Sequence, residues 1–211
     1  MGVIKIFTDV IWDFDGTLFD TYPSMVSAFK RALKDYGIDE KEENILQYMK
    51  ISQSEARKHY MSIYGLDEKF VEKFNAYEKS TSPESVKPFP YAKEICEYIK
   101  NRGKRNFILT HRGNSTLKYL KAYGMENYFE EIITKHSGFK RKPDPEGYIY
   151  LLKKYNIDKS NALIVGDRDF EILAGKAANI KVCLYNTNNI DYKEKPEYII
   201  NSLNELKNIV F

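Results

Sequence analysis

The spacing of apolar residues changes character twice along the chain. Val10, Ile11 and Trp12 make a short unbroken apolar run, which predicts a buried strand ending at Asp13. From Thr21 to Ser80 the spacing becomes helical. Met25, Phe29, Ala32, Leu33 and Tyr36 recur every three or four residues, and Gly37 closes the run as a C′ residue. A second helix is predicted over residues 40–49, with Ile45, Leu46 and Met49 on one face. Ser52 with Glu55 makes a capping-box pattern opening a third helix that stops at Gly65, and a fourth starts near Asp67 with Phe70, Phe74 and Tyr77 inward. Four helices with no strand between them predict a small bundle. The Ser/Pro-rich stretch at residues 80–90 reads as the linker that closes it.

Beyond the linker, helices and strands alternate. Helices are predicted over residues 91–102, 114–123, 144–155 and 170–178. Strands are predicted at 105–110, 131–134, 162–165, 181–185 and 198–200, before a last helix. Alternation with continuous apolar strands predicts a parallel sheet covered on both faces, a Rossmann-like α/β core. The strand ending at Asp13 belongs to that sheet, so the bundle is an insertion. The expected division is a core of residues 1–20 and 87–211 and a helical domain of residues 21–86.

Composition narrows the function more than the fold. The chain has 211 residues, and its 33 Lys/Arg and 30 Asp/Glu are well mixed, for a net charge of +3. That balance gives no electrostatic case for nucleic acid or a membrane surface. Cys96 and Cys183 lie far apart in apolar patterns and are expected to be reduced core residues. Near the start, Lys5, Asp9 and Asp13 interrupt the apolar run too early for a signal peptide or a membrane span. Met1-Gly2 lacks the downstream Ser/Thr of a myristoylation signal, with Ile6 in its place. A cytoplasmic protein is expected, as a monomer or weak homodimer.

The chemistry collects at the predicted strand ends. Asp13 and Asp15 project to one side of an extended chain, with Phe14 on the other, and Gly16 and Thr17 follow. Two carboxylates so close share a proton or bind a cation. The second strand delivers Thr110, then His111 and Arg112. A stiffened loop carries Lys142 before Pro143, Asp144 and Pro145. The 162–165 strand leads to Asp167, with Asp169 and Glu171 behind it. Several acids, a hydroxyl and one ammonium at one edge are what a divalent cation plus a phosphate require, and hard oxygen ligands suit Mg²⁺.

These residues are similar to the four motifs of the haloacid dehalogenase-like hydrolases: DFDGT at residues 13–17, a Thr ending the second strand, a Lys before Pro-Asp-Pro, and GD followed by an acid four residues on. All four occur in order over essentially the whole chain. The inserted helices resemble that family's small C1 cap, as in phosphoglycolate phosphatases and β-phosphoglucomutases. The resemblance implies a Mg²⁺-dependent phosphatase acting on a small phosphorylated metabolite. In it Asp13 is the nucleophile that forms an aspartyl-phosphate, and Asp15 is the general acid and then base. Thr110 and Lys142 hold the phosphoryl oxygens, beside Gly16 and Thr17. Asp167 binds the metal with Asp13 and the backbone carbonyl of Asp15. Glu171 stands where the second metal acid is usually Asp, and Asp169 is the alternative.

Other residues carry weaker expectations. His111 is expected at the substrate, with a surface role close behind, whereas His59 and His136 are expected to be exposed. Arg112 and Arg168 contact either an anionic substrate or only their loops. Lys50 lies where C1 caps reach toward the substrate, and a helix-end Lys favoured by the dipole reads equally well. The alternatives to a phosphatase are a β-phosphoglucomutase-type phosphomutase and a catalytically weak regulatory protein that binds phosphate esters. Thr17 after the glycine resembles the phosphatases.

Overall fold

The computed structural model describes residues 7–186, 192 and 194–210, and the N-terminal reading of Met1, Gly2, Lys5 and Ile6 lies outside them. Two compact units make up the chain. One contains residues up to Phe19 and from Lys87 onward, and the other spans Asp20–Val86.

The first unit is built on a six-stranded parallel sheet. Its strands are β1 (Asp9–Trp12), β2 (Arg105–Leu109), β3 (Phe129–Ile133), β4 (Ala162–Gly166), β5 (Lys181–Tyr185) and β6 (Tyr198–Ile200), in the order β3-β2-β1-β4-β5-β6. β1 sits between β2 and β4, with Trp12 opposite Ile108 on one side and Val165 on the other. Side-chain alternation divides the sheet residues between two layers. Ile11, Phe107, Ile164, Val182 and Leu184 share one apolar cluster with Tyr148, Leu151 and Ile172. On the other face Trp12 Nε1 donates to Asn106 Oδ1 at 3.0 Å, and Asn106 Nδ2 donates to the carbonyl of buried Cys96 at 2.9 Å. Burial of Asn106 is tolerated because its amide is satisfied at both ends.

The expected strand ending at Trp12 begins one residue earlier than the apolar run. Asp9 is 2% exposed and pairs with Arg105 Nε at 2.5 Å, so a charge that interrupts the hydrophobic pattern belongs to the strand. The order reverses on either side of β1: the chain runs from β1 to β2 and β3 on one side and from β4 to β6 on the other. That is the switch point at which α/β sheets present ligand sites beyond their carboxyl edge. Cys96 and Cys183 are buried free thiols.

The second unit consists of α1 (Tyr22–Lys34), α2 (Glu42–Ile51), α3 (Gln53–Tyr64) and α4 (Glu68–Lys79). Ser52 caps α3 by accepting from Glu55 N at 3.0 Å, and Asp67 caps α4 by accepting from Lys69 N at 3.1 Å. The core is aromatic. The ring of Phe29 lies 5.3, 5.0 and 5.1 Å from those of Tyr60, Phe70 and Phe74 in edge-on geometry. Ile45, Met49, Phe70 and Phe74 are buried as expected, but Tyr36 is 37% exposed. The first helix ends at Lys34, and the turn closed by Gly37 N to Lys34 O carries Tyr36 outward. His59 also departs from the expectation of exposure: its ring stacks on Tyr48 at 3.8 Å and is half-buried. Among the described residues no helix is long and apolar enough to cross a membrane.

Candidate active site

β1 ends at Trp12, and Asp13 is held against the neighbouring strand by its N–H to Val165 O, 2.8 Å. Asp13 is 1% exposed. Gly16 follows at φ +81°, a left-handed conformation that costs glycine little, and its N–H bonds Phe19 O at 2.9 Å. Phe14 packs away from the acids and stacks on Phe19, with ring centroids 4.7 Å apart. Thr17 is wholly buried, and its hydroxyl has no hydrogen-bond partner among the described residues.

Lys142 is the hub. Its ammonium is 2.5 Å from Asp13 Oδ1, 2.7 Å from Glu171 Oε1 and 3.1 Å from the carbonyl oxygen of Leu109. The Lys142 and Glu171 side chains are wholly buried. Charges so deep survive only when paired and hydrogen-bonded. Burial alone would lower the Lys142 pKa, but Asp13 and Glu171 together outweigh it and hold the ammonium well above the usual lysine range. Burial pushes the Asp13 carboxyl up against the pull of that ammonium. Burial pushes Glu171 the same way, but the charges of Lys142 and Arg168 prevail and keep it below the ordinary range.

Glu171 reaches this position from α5 (Asp169–Ala178) by folding under the end of β4. A Cβ on Gly166 would lie 2.2 Å from Glu171 Cγ, so only glycine leaves room for the side chain. The second carboxylate oxygen, Oε2, accepts from Arg168 N at 3.2 Å. Both oxygens of Glu171 are thus taken by protein donors. Asp169 differs: its Oδ1 is buried with no hydrogen-bond partner among the described residues, and so is Asp13 Oδ2. Asp167 is 1% exposed, and the Arg168 guanidinium stands between it and Asp13, at 3.6 Å from Asp167 Oδ1 and 3.8 Å from Asp13 Oδ2.

The other expected residues divide between two segments. Thr110 is 3% exposed and follows β2, and its Oγ1 accepts from Arg112 N at 3.0 Å. Arg112 is buried and donates from Nε to Asp15 Oδ1 at 2.6 Å and from Nη1 to Ser115 Oγ at 3.2 Å. Arg112, expected at an anionic substrate or only at its loop, is tied here to the second acid of DFDGT. His111 is not at a free surface: its Nε2 accepts from Lys142 N at 2.7 Å and so fixes the loop that carries the lysine. Burial, then the charges of Lys142, Arg141 and Arg168, press its pKa down to about 2, so the ring is the neutral acceptor the bond needs. Lys50 lies in the last turn of α2, in the helical unit.

Among the described residues no three His, Cys, Asp or Glu side chains stand together as a preformed cation cage. The reason is local. Of the expected metal residues Asp13, Asp15, Asp167 and Glu171, Asp15 is held by Arg112 and Glu171 by Lys142. Asp13 Oδ2 and Asp169 Oδ1, both buried and without a hydrogen-bond partner among the described residues, are hard oxygen donors of the kind a divalent cation takes, and the Arg168 guanidinium stands beside Asp13 and Asp167. Tyr148, buried beside these charges, gave no signal in the sequence beyond its place in a helix.

A parallel sheet whose central strand ends in two acids, one buried against a lysine from a distant loop, gathers its charged side chains at the switch point of a Rossmann-like α/β fold. The chain belongs to the haloacid dehalogenase-like hydrolase family, whose model matches residues 10–185. Enzymes of this family generally use a divalent metal. The chain is similar to Pyrophosphatase PpaX of Oceanobacillus iheyensis, at 24% identity over 95% of both chains. It is also similar to a phosphoglycolate phosphatase of Aquifex aeolicus, at 26% identity over 83% of both. Among solved structures, a hydrolase from Streptococcus pneumoniae is 34% identical, with a TM-score of 0.63 over 89% of this chain and 94% of that one.

Proposed function

We propose that the chain is a Mg²⁺-dependent phosphatase that hydrolyses a small phosphorylated metabolite through an aspartyl-phosphate on Asp13. The observation that carries this reading is the buried Asp13–Lys142 pair, in which one carboxylate oxygen is held by the ammonium and the other, Oδ2, has no hydrogen-bond partner among the described residues. An oxygen in that state is a nucleophile held in place and stripped of water. Its attack on phosphorus forms the Asp13 O–P bond as the ester P–O bond breaks, and the leaving alkoxide takes a proton from Asp15. Asp15 then takes a proton from the water that attacks the phosphoryl-aspartate, which releases phosphate and restores Asp13. The guanidinium of Arg112 orients Asp15, and the Lys142 ammonium and Thr110 hydroxyl meet the phosphoryl oxygens. The names of the relatives, pyrophosphatase and phosphoglycolate phosphatase, support a phosphorylated substrate.

Asp13 and Asp167 would hold Mg²⁺, with the carbonyl of Asp15. Asp169 is better suited than Glu171 to be the further acid, because both Glu171 oxygens already accept from Lys142 and Arg168. When bound, the cation offsets the negative charge of the phosphoryl group. Glu171 in this reading positions Lys142.

The test is Asp13→Asn, which keeps the size of the side chain and removes the nucleophile. Release of phosphate from p-nitrophenyl phosphate is expected to fall by at least about 10³-fold. Activity within tenfold of wild type would falsify the covalent route. In the wild type the phosphoenzyme is expected to discharge to water without added hexose phosphate, and a need for that acceptor would assign a mutase.

A further inference from the structure

A cavity of about 260 Å³ opens beside the catalytic end of β2 and β3, in the sheet unit. Its floor is apolar, made by Leu109 and Ile133 at the strand ends and by Phe139. Its charged lining is Lys135, Lys140 and Arg141, beside the hydroxyls of Thr110 and Thr134 and the imidazoles of His111 and His136, and no acid is among the described residues that line it. In a chain with nearly equal numbers of acidic and basic residues this is a local concentration of one sign. The contrast with Lys142 next door is direct, since that ammonium has two carboxylates. Lys140 has Asp144 at 3.7 Å, but among the described residues neither Lys135 nor Arg141 has an acidic partner.

Lys135, His136, Lys140 and Arg141 are exposed, and the backbone that carries them is held in place. Lys135 N donates to Arg112 O at 3.0 Å, and a Cβ on Gly113 would meet Lys135 Cε at 2.9 Å and His136 Nε2 at 2.8 Å. Lys135 and His136 are therefore laid across the backbone that follows Thr110. Arg141 precedes Lys142 in the loop that His111 anchors. Burial, then the charge of Arg168, lowers the Arg141 pKa, and the same field acts on His111. Positive charges crowded at the mouth of a cleft attract an anion and raise its local concentration. The volume lies below the range of pockets for drug-sized ligands and suits one small ionised group.

We propose that this cavity binds a second anionic group of the substrate, a carboxylate or a second phosphoryl group, lying a few bonds from the phosphoryl group presented to Asp13. Thr110 and His111 line the cavity, and Thr110 also belongs to the phosphoryl site, so one short molecule spans both. The inference rests on the phosphatase reading and names its substrate class: small phosphorylated acids or diphosphates in preference to neutral phosphate esters.

The experiment compares wild type with Lys135→Met/Arg141→Met on pyrophosphate, on a phosphorylated hydroxy-acid and on p-nitrophenyl phosphate. For the two substrates with a second anion, kcat/KM is expected to fall at least tenfold, through KM. For p-nitrophenyl phosphate it stays within twofold, and the charge-conserving Lys135→Arg/Arg141→Lys variant recovers most of the loss. Equal losses on all three substrates, or no loss on any, overturn the proposal. Calorimetric titration of pyrophosphate distinguishes the two readings. If wild type fails to turn over any ester yet binds pyrophosphate at least tenfold more tightly than the variant, the phosphatase reading falls and the anion site stands.

Discussion

The end of the sheet and the helical unit solve opposite problems with the same twenty side chains. Around Phe29 the interior is aromatic and apolar, and charged pairs such as Lys73–Asp35 and Lys58–Glu55 lie at the surface. Around Lys142 the interior holds an ammonium between two carboxylates, each at most 1% exposed. Surface pairs contribute little to stability, and buried pairs repay their desolvation only when geometry is close. The helical core is therefore what the hydrophobic effect assembles unaided, whereas the sheet end is stability spent on chemistry. The two regions should respond differently to substitution.

The largest effect is expected from Lys142→Met. It leaves Asp13 and Glu171 buried with no ammonium between them, so stability is expected to fall by about 3–5 kcal/mol. Turnover should fall below detection. Adding Glu171→Gln removes one of the two buried charges left without the ammonium and is expected to recover much of the stability, read by urea denaturation, and none of the activity. Activity that returned with stability would reduce Lys142 to a structural residue and erase the contrast.

Phe29→Ala tests the other side. Its ring touches three aromatic neighbours, and truncation is expected to cost about 3–5 kcal/mol, without dependence on pH in the acid range because the one titratable neighbour, Tyr60, is pushed by burial above the usual tyrosine range. A loss that changed between pH 7 and pH 5 would show that the helical core depends on charge after all.

The smallest effect is expected at His111. Its folded pKa, near 2, lies below the ordinary value of 6.5, so the folded ring stays neutral while the unfolded ring protonates as pH falls below 6.5. The unfolded state then binds more protons, and this group withdraws up to about 1.4 kcal/mol of stability per pH unit on acidification. His111→Gln keeps an acceptor that does not titrate, and its stability should fall less steeply between pH 6.5 and 4.5 in denaturant titrations. Equal slopes would mean that the ring protonates in the folded chain.

The sequence by itself determined the alternation of strands and helices, the inserted bundle and the positions at which acids, Thr110 and Lys142 leave the strands. Those features are local: apolar spacing, Gly and Pro punctuation, and caps such as Ser52 act within a few residues. Boundaries moved where a local signal was ambiguous. Asp9 joined its strand because Arg105 neutralises it, and Tyr36 left its helix because the chain had already turned at Lys34. The tertiary structure alone decided which partner each charge took. Lys142 meets Asp13 across 129 positions, and Arg112 meets Asp15 across 97. His111, next to Thr110 in sequence, turned out to anchor Lys142, and Glu171 folded inward to the same lysine while Asp169 kept a buried oxygen without a hydrogen-bond partner among the described residues. A charged side chain takes whichever opposite charge folding brings within about 4 Å, where the attraction in a partly buried setting is several kcal/mol. That choice depends on how distant segments approach one another, and no spacing along the chain encodes it.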